Sequence, residues 1–121
     1  MAEMKDLEQL FPDKETGFSF VGSDDGEKYS VKLFLSTGLV LLYEKLTKDE
    51  NMLATEVQIQ VLEKFFINQY EHMNREWIEK NISMQKQNYI FLMFIQELNR
   101  GNEIISNEMR QVEGVAGDLS A

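Results

Sequence analysis

The chain is expected to be α+β and mostly α: an N-terminal β-hairpin followed by a bundle of about four helices. Three observations predict this. Gly22-Ser23-Asp24-Asp25-Gly26, a tight-turn signal, lies between the apolar alternation Phe18-Ser19-Phe20-Val21 and the stretch Tyr29–Leu35. In that second stretch Tyr29, Val31, Leu33 and Leu35 share one face, so the hairpin spans about residues 18–35. From about residue 38 to residue 100 the apolar spacing then changes to that of helices, ending in the uninterrupted apolar run Tyr89–Ile95.

Two strands alone are marginal in water, so the hairpin must lie on something apolar. Leu39, Leu42, Tyr43 and Leu46 fall at i, i+3, i+4 and i+7, with Ser36 or Thr37 placed to cap a helix. The competing assignment is a third strand over Leu39–Tyr43, paired through Ser-Thr-Gly. Thr47–Glu50 is either a capping box or a polar loop. A longer helix is predicted from about Ala54 to Tyr70, with Val57, Val61, Leu62, Phe65 and Phe66 on a broad apolar face. After a turn near Glu71–Asn74 comes a short segment, Arg75–Lys80, broken by Asn81-Ile82. Ser83 is placed to cap a last helix over about Met84 to Arg100, with Gly101 and Asn102 as its expected stop. Residues 1–100 are thus read as one domain and 101–121 as an acidic, flexible tail. Near the start, Leu7, Leu10 and Phe11 suggest a helical turn before Pro12, the single proline.

Composition narrows the function classes. A chain of 121 residues with 43% hydrophobic content can bury a modest core without staples. It has no cysteine, which removes disulfides and thiolate metal sites and suits a reducing cytoplasm. The start lacks the apolar core of a signal peptide, and the run Tyr89–Ile95 is far shorter than the roughly 20 residues that cross a bilayer. Charge is uneven. Residues 1–27 carry eight acids against two bases, residues 28–100 nine of each, and residues 101–121 four acids against Arg110. Acidic ends on a neutral body repel phosphate backbones, so nucleic acid is not an expected partner, and a solubilising fringe is the simplest reading.

No reaction is announced. His72 is the single histidine, so histidines alone build neither a zinc nor a catalytic constellation. Asp24-Asp25-Gly26-Glu27 lacks the spaced acids of a calcium loop, and Glu76 and Glu79 are an ordinary solvated helix pair. No catalytic, metal or cofactor residue is expected, and the chain is read as a non-enzyme. What remains is surface for another chain. Seven consecutive apolar side chains point all round a helix. Phe91, Phe94, Ile95 and Leu98 are expected to face the core. Trp77, Tyr89, Ile90, Leu92, Met93, Phe66 and Tyr70 are the candidate partner or oligomer interface, although a core anchor that locks the short helix to its neighbours is the preferred role of Trp77.

The strand Tyr29-Ser30-Val31-Lys32-Leu33-Phe34-Leu35, the leucine-rich and longer helices after it, and Met73-Asn74-Arg75-Glu76-Trp77-Ile78-Glu79-Lys80-Asn81-Ile82-Ser83 before a final apolar helix carry a resemblance. Over about residues 18–100 the chain resembles the tail assembly chaperones of long-tailed bacteriophages. The resemblance implies a small helical protein, often oligomeric, that binds the long apolar tape measure protein and keeps it soluble until the tail tube assembles. It also implies action in the host cytoplasm, absence from the finished virion, and a longer frameshifted form that recruits tail-tube protein. The apolar surplus independently leads to an expected homo-oligomer. Two other classes stay open: an acidic inhibitor of the anti-restriction or anti-CRISPR type, and a structural head–tail joining protein.

Overall fold

The hairpin forms where the alternation places it, and the rest of the chain is built to cover it. The computed structural model describes residues 6–10 and 17–120, without the side chains of residues 8 and 111–120. Its elements are α1 (Leu7–Leu10), β1 (Gly17–Val21), β2 (Lys28–Lys32), α2 (Thr37–Thr47), α3 (Ala54–Ile67), α4 (Arg75–Asn81) and α5 (Met84–Ser120). The fold class is therefore α+β and mostly α, a two-stranded hairpin followed by four helices, with α1 a single turn before it. Phe11 and Pro12 lie outside the described residues.

β1 and β2 pair antiparallel with Phe18 opposite Val31 and Phe20 opposite Tyr29. These four side chains share the inner face, where Phe20 and Val31 are buried. Phe20 meets the ring of Phe66 edge-on at 5.8 Å and that of Trp77 at 6.1 Å. Tyr29 meets Trp77 at 5.4 Å and Tyr70 at 5.5 Å, again edge to face, the arrangement that aromatic quadrupoles favour. The hairpin thus lies with its aromatic face on α3, α4 and the segment between them.

β2 would present a bare edge, and two residues just after α3 close it. The Lys32 N–H donates to Gln69 Oε1 at 2.9 Å, and Gln69 Nε2 donates back to the Lys32 carbonyl at 2.7 Å. The Tyr70 hydroxyl donates to the Ser30 carbonyl at 2.7 Å. A side-chain amide here takes the place of a third strand. The strand ends at Lys32, short of the expected Leu35, because Lys32 pairs with Gly17 at the start of β1. Leu33 and Leu35 still point inward onto the core, while Phe34 is exposed.

The turn is anchored by one residue far away in sequence. Asn81, 2% exposed at the end of α4, accepts from the N–H groups of Asp24 and Asp25 at 2.9 and 3.0 Å through its Oδ1. Its Nδ2 donates to the Trp77 carbonyl at 3.0 Å, and its own carbonyl accepts from the Ser23 N–H at 3.0 Å. Gly22 is required at this approach, since a Cβ there would strike the Asp25 carboxylate and the Asn81 amide. Gly26 sits at φ +69°, the left-handed region that glycine enters without strain.

Local chemistry sets the helix starts. Ser36 caps α2 by accepting from the Leu39 N–H at 3.2 Å, which establishes the helix over Leu39–Tyr43 in place of a third strand. Asn74 caps α4 through the Trp77 N–H at 2.9 Å, and Ser83 accepts from the Lys86 N–H at the start of α5. Ile82 is extended and separates the last two helices. Thr47–Glu50 does not act as a capping box. Leu53 precedes α3 with no side-chain cap, and Thr47 instead donates to the Tyr43 and Glu44 carbonyls. α3 ends at Ile67 rather than Tyr70.

Two expectations for the last helix are corrected. It does not stop at Gly101 and Asn102 but runs through both to Ser120. Each of those residues disfavours helix by about 1 kcal/mol or less, too little to end a helix that no proline follows. Its core-facing direction is also rotated from the expected stripe. Gln87, Ile90 and Phe94 are buried, whereas Phe91 and Ile95 are half-buried. The Gln87 side chain explains the rotation, because its Nε2 donates to the Ile82 carbonyl at 2.8 Å and turns that face inward. Tyr43 of α2 then packs edge-on against Phe94 at 5.3 Å.

Asn81→Ala should cost about 2 kcal/mol in urea unfolding, because it orphans the Asp24 and Asp25 N–H groups together and removes the side-chain bond to the Trp77 carbonyl. Asn81→Asp keeps an acceptor but sets a charge beside Asp24 and Asp25, and should not restore that stability.

Candidate functional site

Where β1 and α5 meet, they leave a groove of about 440 Å³. Phe18, Ser19 and Phe20 form one wall; Gln85, Lys86, Tyr89, Ile90 and Met93 form the other. The lining is mostly apolar, with Lys86 as its charged member and Ser19 and Gln85 as its polar ones. The geometry of α5 makes this wall. At 100° per residue Tyr89 and Met93 lie 40° apart and Ile90 lies next to them, so one flank of the helix collects all three. The other wall follows from the period of two in β1, which puts Phe18 and Phe20 on one face.

Among the described residues, nothing pairs with the edge of β1 that borders this groove. Ser30 and Lys32 direct their backbone groups away from β1 toward Tyr70 and Gln69. In an antiparallel ladder, directly opposed residues either bond each other or both face away, so Gly17 and Ser19 face outward on the other side.

The expected interface residues divide. Tyr89, 65% exposed, and the half-buried Met93 line the groove. Leu92 is 49% exposed but lies 60° round α5 from Tyr89, away from the groove. Ile90 is 4% exposed and forms the floor, so it belongs to the core rather than to a free surface. Phe66 is fully buried under the hairpin, at 0% exposure, and cannot meet a partner in this fold. Its neighbours Phe18, Phe20 and Phe65 take every side of the ring that an interface would need. Trp77 and Tyr70 are half-buried supports of the hairpin, the anchor role considered for Trp77. Phe18 and Phe20 were not among the expected interface residues. Their i, i+2 spacing did mark them as one face, but which helix lies across from that face is a tertiary fact.

On the other side of α4, a polar hollow of about 320 Å³ is lined by Asp24, Asp25, His72, Asn74, Glu76, Trp77, Lys80 and Asn81. Asp25, Glu76 and Lys80 among its charged groups are engaged in structure. Asp25 accepts from the Tyr29 hydroxyl at 2.5 Å and from the Glu27 N–H at 2.9 Å. Those bonds hold its carboxyl below the usual carboxylate range. The same contact pushes the Tyr29 phenol up to about 12, since a phenolate beside a carboxylate would lose its hydrogen bond and gain repulsion. Lys80 pairs with Glu76 at 3.1 Å. On the α3 side, Arg75 forks onto Glu56 at 2.7 and 2.9 Å and reaches Glu79 at 3.2 Å, which raises its already high pKa. These pairs are well exposed, so they orient α4 more than they stabilise it. Among the described residues no group of three or more His, Cys, Asp or Glu could hold a metal ion, and no helix is long and apolar enough to cross a membrane.

Comparison with known proteins yields no match, whether with a protein-family model, a curated protein or a solved structure.

The Tyr29–Asp25 contact gives a pH test with a defined sign. A phenol whose folded pKa is raised contributes stability that is present below pH 10 and lost as pH rises toward about 12. Urea midpoints measured across that window should fall less steeply for Tyr29→Phe than for the parent chain. At the acid end, Asp25 contributes stability above its ordinary value of 3.8 that fades as pH falls, and Tyr29→Phe should reduce this loss as well.

Proposed function

We propose that the protein is a tail assembly chaperone of a long-tailed bacteriophage, which binds the apolar helical tape measure protein and keeps it soluble while the tail assembles. The observation that carries this reading is the groove between β1 and α5. Its walls of Phe18, Phe20, Tyr89 and Met93 offer aromatic and thioether surface, the kind that adapts to varied apolar side chains. A groove of this kind suits a segment of extended chain or one face of a helix, recognised by apolarity rather than by a charge code. The resemblance over about residues 18–100 supplies the identity of the client.

In this reading the acidic ends keep the loaded complex soluble, and no nucleotide or cofactor takes part. The protein acts in the cytoplasm of the infected cell and is absent from the finished particle. A longer frameshifted form would add the segment that recruits tail-tube protein.

Coexpression tests it directly. The tape measure protein encoded beside this chain should stay in the soluble fraction when the two are made together and precipitate when made alone. Equal client solubility with and without the chain would refute the reading. Tyr89→Glu places a charge in the groove at an exposed position. It should lower the soluble client severalfold while far-UV circular dichroism of the chain itself stays unchanged. If Tyr89→Glu protects the client as well as the parent chain does, the client binds elsewhere.

A further inference from the structure

α5 spans 37 residues, about 55 Å of helix, and among its described side chains the buried ones all lie in the first third. Ile95 is the last of its residues packed against the core. Past that point Ile104, which is half-buried, and Val115 stand to one side, while the other apolar positions keep to one row. Ile95, Leu98, Asn102, Ile105 and Met109 follow one another at steps of three, four, three and four. In the sequence the same steps continue to Val112, Ala116 and Leu119. This is the a/d pattern of a coiled coil, with Ile95, Asn102 and Met109 at a and Leu98 and Ile105 at d. Ile105 and Met109 are 50% and 56% exposed, although they continue the row that begins against the core. An apolar seam left in water along a helix is marginal unless a second helix covers it.

From this geometry we infer that two copies of the chain associate as a parallel, in-register coiled coil through α5 from Ile95 onward. Asn102 decides the occupant. It is the one polar residue in the a/d row, and a buried amide at an a position is costly unless its partner both donates and accepts. In a parallel in-register pair, Asn102 faces Asn102 of the second copy, and the two amides satisfy each other. A client helix of unrelated sequence would leave the amide unpaired. The period of seven also matches two identical helices wound about each other, since both must keep the same seam turned inward. Residues 101–121 carry a net charge of −3, so the copies repel along this stretch and the apolar seam must outweigh that repulsion. The pairing surface is separate from the groove at Tyr89 and Met93, and the inference does not depend on the proposed client.

Sedimentation equilibrium of the full chain should report twice the chain mass, with the dimer fraction rising as salt screens the acidic stretch. The double variant Ile105→Glu/Met109→Glu should sediment at a single chain mass. Both positions lie beyond the core, so the near-ultraviolet signal of Trp77 should be unchanged. Because the chain has no cysteine, Met109→Cys gives a clean register probe: mild oxidation should link most chains into disulfide dimers. A chain that is monomeric at every reachable concentration overturns the inference. So does a dimer that survives Ile105→Glu/Met109→Glu, a dimer that salt dissolves, or a dimer that Met109→Cys cannot link.

Discussion

The fold depends on a constraint the hairpin cannot meet by itself. Two strands with four inward aromatic or branched side chains have one greasy face and two open edges, and neither is stable in water. Each later element supplies part of the cover. α3 contributes Phe65 and Phe66 beneath the rings, the segment after it contributes Gln69 and Tyr70 along the edge of β2, and α4 contributes Trp77 and the Asn81 clamp on the turn. α5 then approaches from the side of β1, and it is there that coverage is incomplete. The groove is the part of the hairpin problem that the chain leaves unsolved.

Local signals were legible in the sequence, and tertiary ones were not. The turn at Gly22–Gly26, the alternation through Tyr29 and Val31, and the caps Ser36 and Ser83 are local signals, and each appears where its residues stand. Asn74 is equally local, yet it lay inside a stretch read only as a turn. The rotation of α5 was not legible, because it turns on Gln87, a polar residue in an apolar neighbourhood. Periodicity counts such a residue as surface, whereas the Ile82 carbonyl makes it core. Phe66 is the opposite case, an aromatic residue that the tertiary fold buries. An aromatic residue on a broad helix face looks available until the hairpin covers it. The continuation through Gly101 shows a further limit: a weak breaker ends a helix only when the surroundings agree.

α5 joins two kinds of surface in one element. Along its first turns, one side is core, one flank lines the groove and Leu92 stands apart from both. Farther on, a single seam persists along which Ile105 and Met109 are exposed. A helix that is apolar all round near its start and on one stripe near its end cannot be satisfied by one small domain, and its two surpluses have different shapes. The flank near Tyr89 is concave because β1 faces it. The seam through Ile105 is convex and periodic.

The Asn81 clamp also bears on time. The turn amides it receives lie 56 and 57 residues earlier in the chain, and the edge that Gln69 closes lies 37 residues earlier. At the 5–20 residues per second of protein synthesis, roughly 3 to 11 s separate the appearance of the turn from the residue that secures it. Isolated hairpins form within about 1–10 μs. During its synthesis, then, the chain carries an unprotected strand edge and an open aromatic face for on the order of 10⁵ or more hairpin-formation times before either is covered. The first structure to be made is the last to be secured.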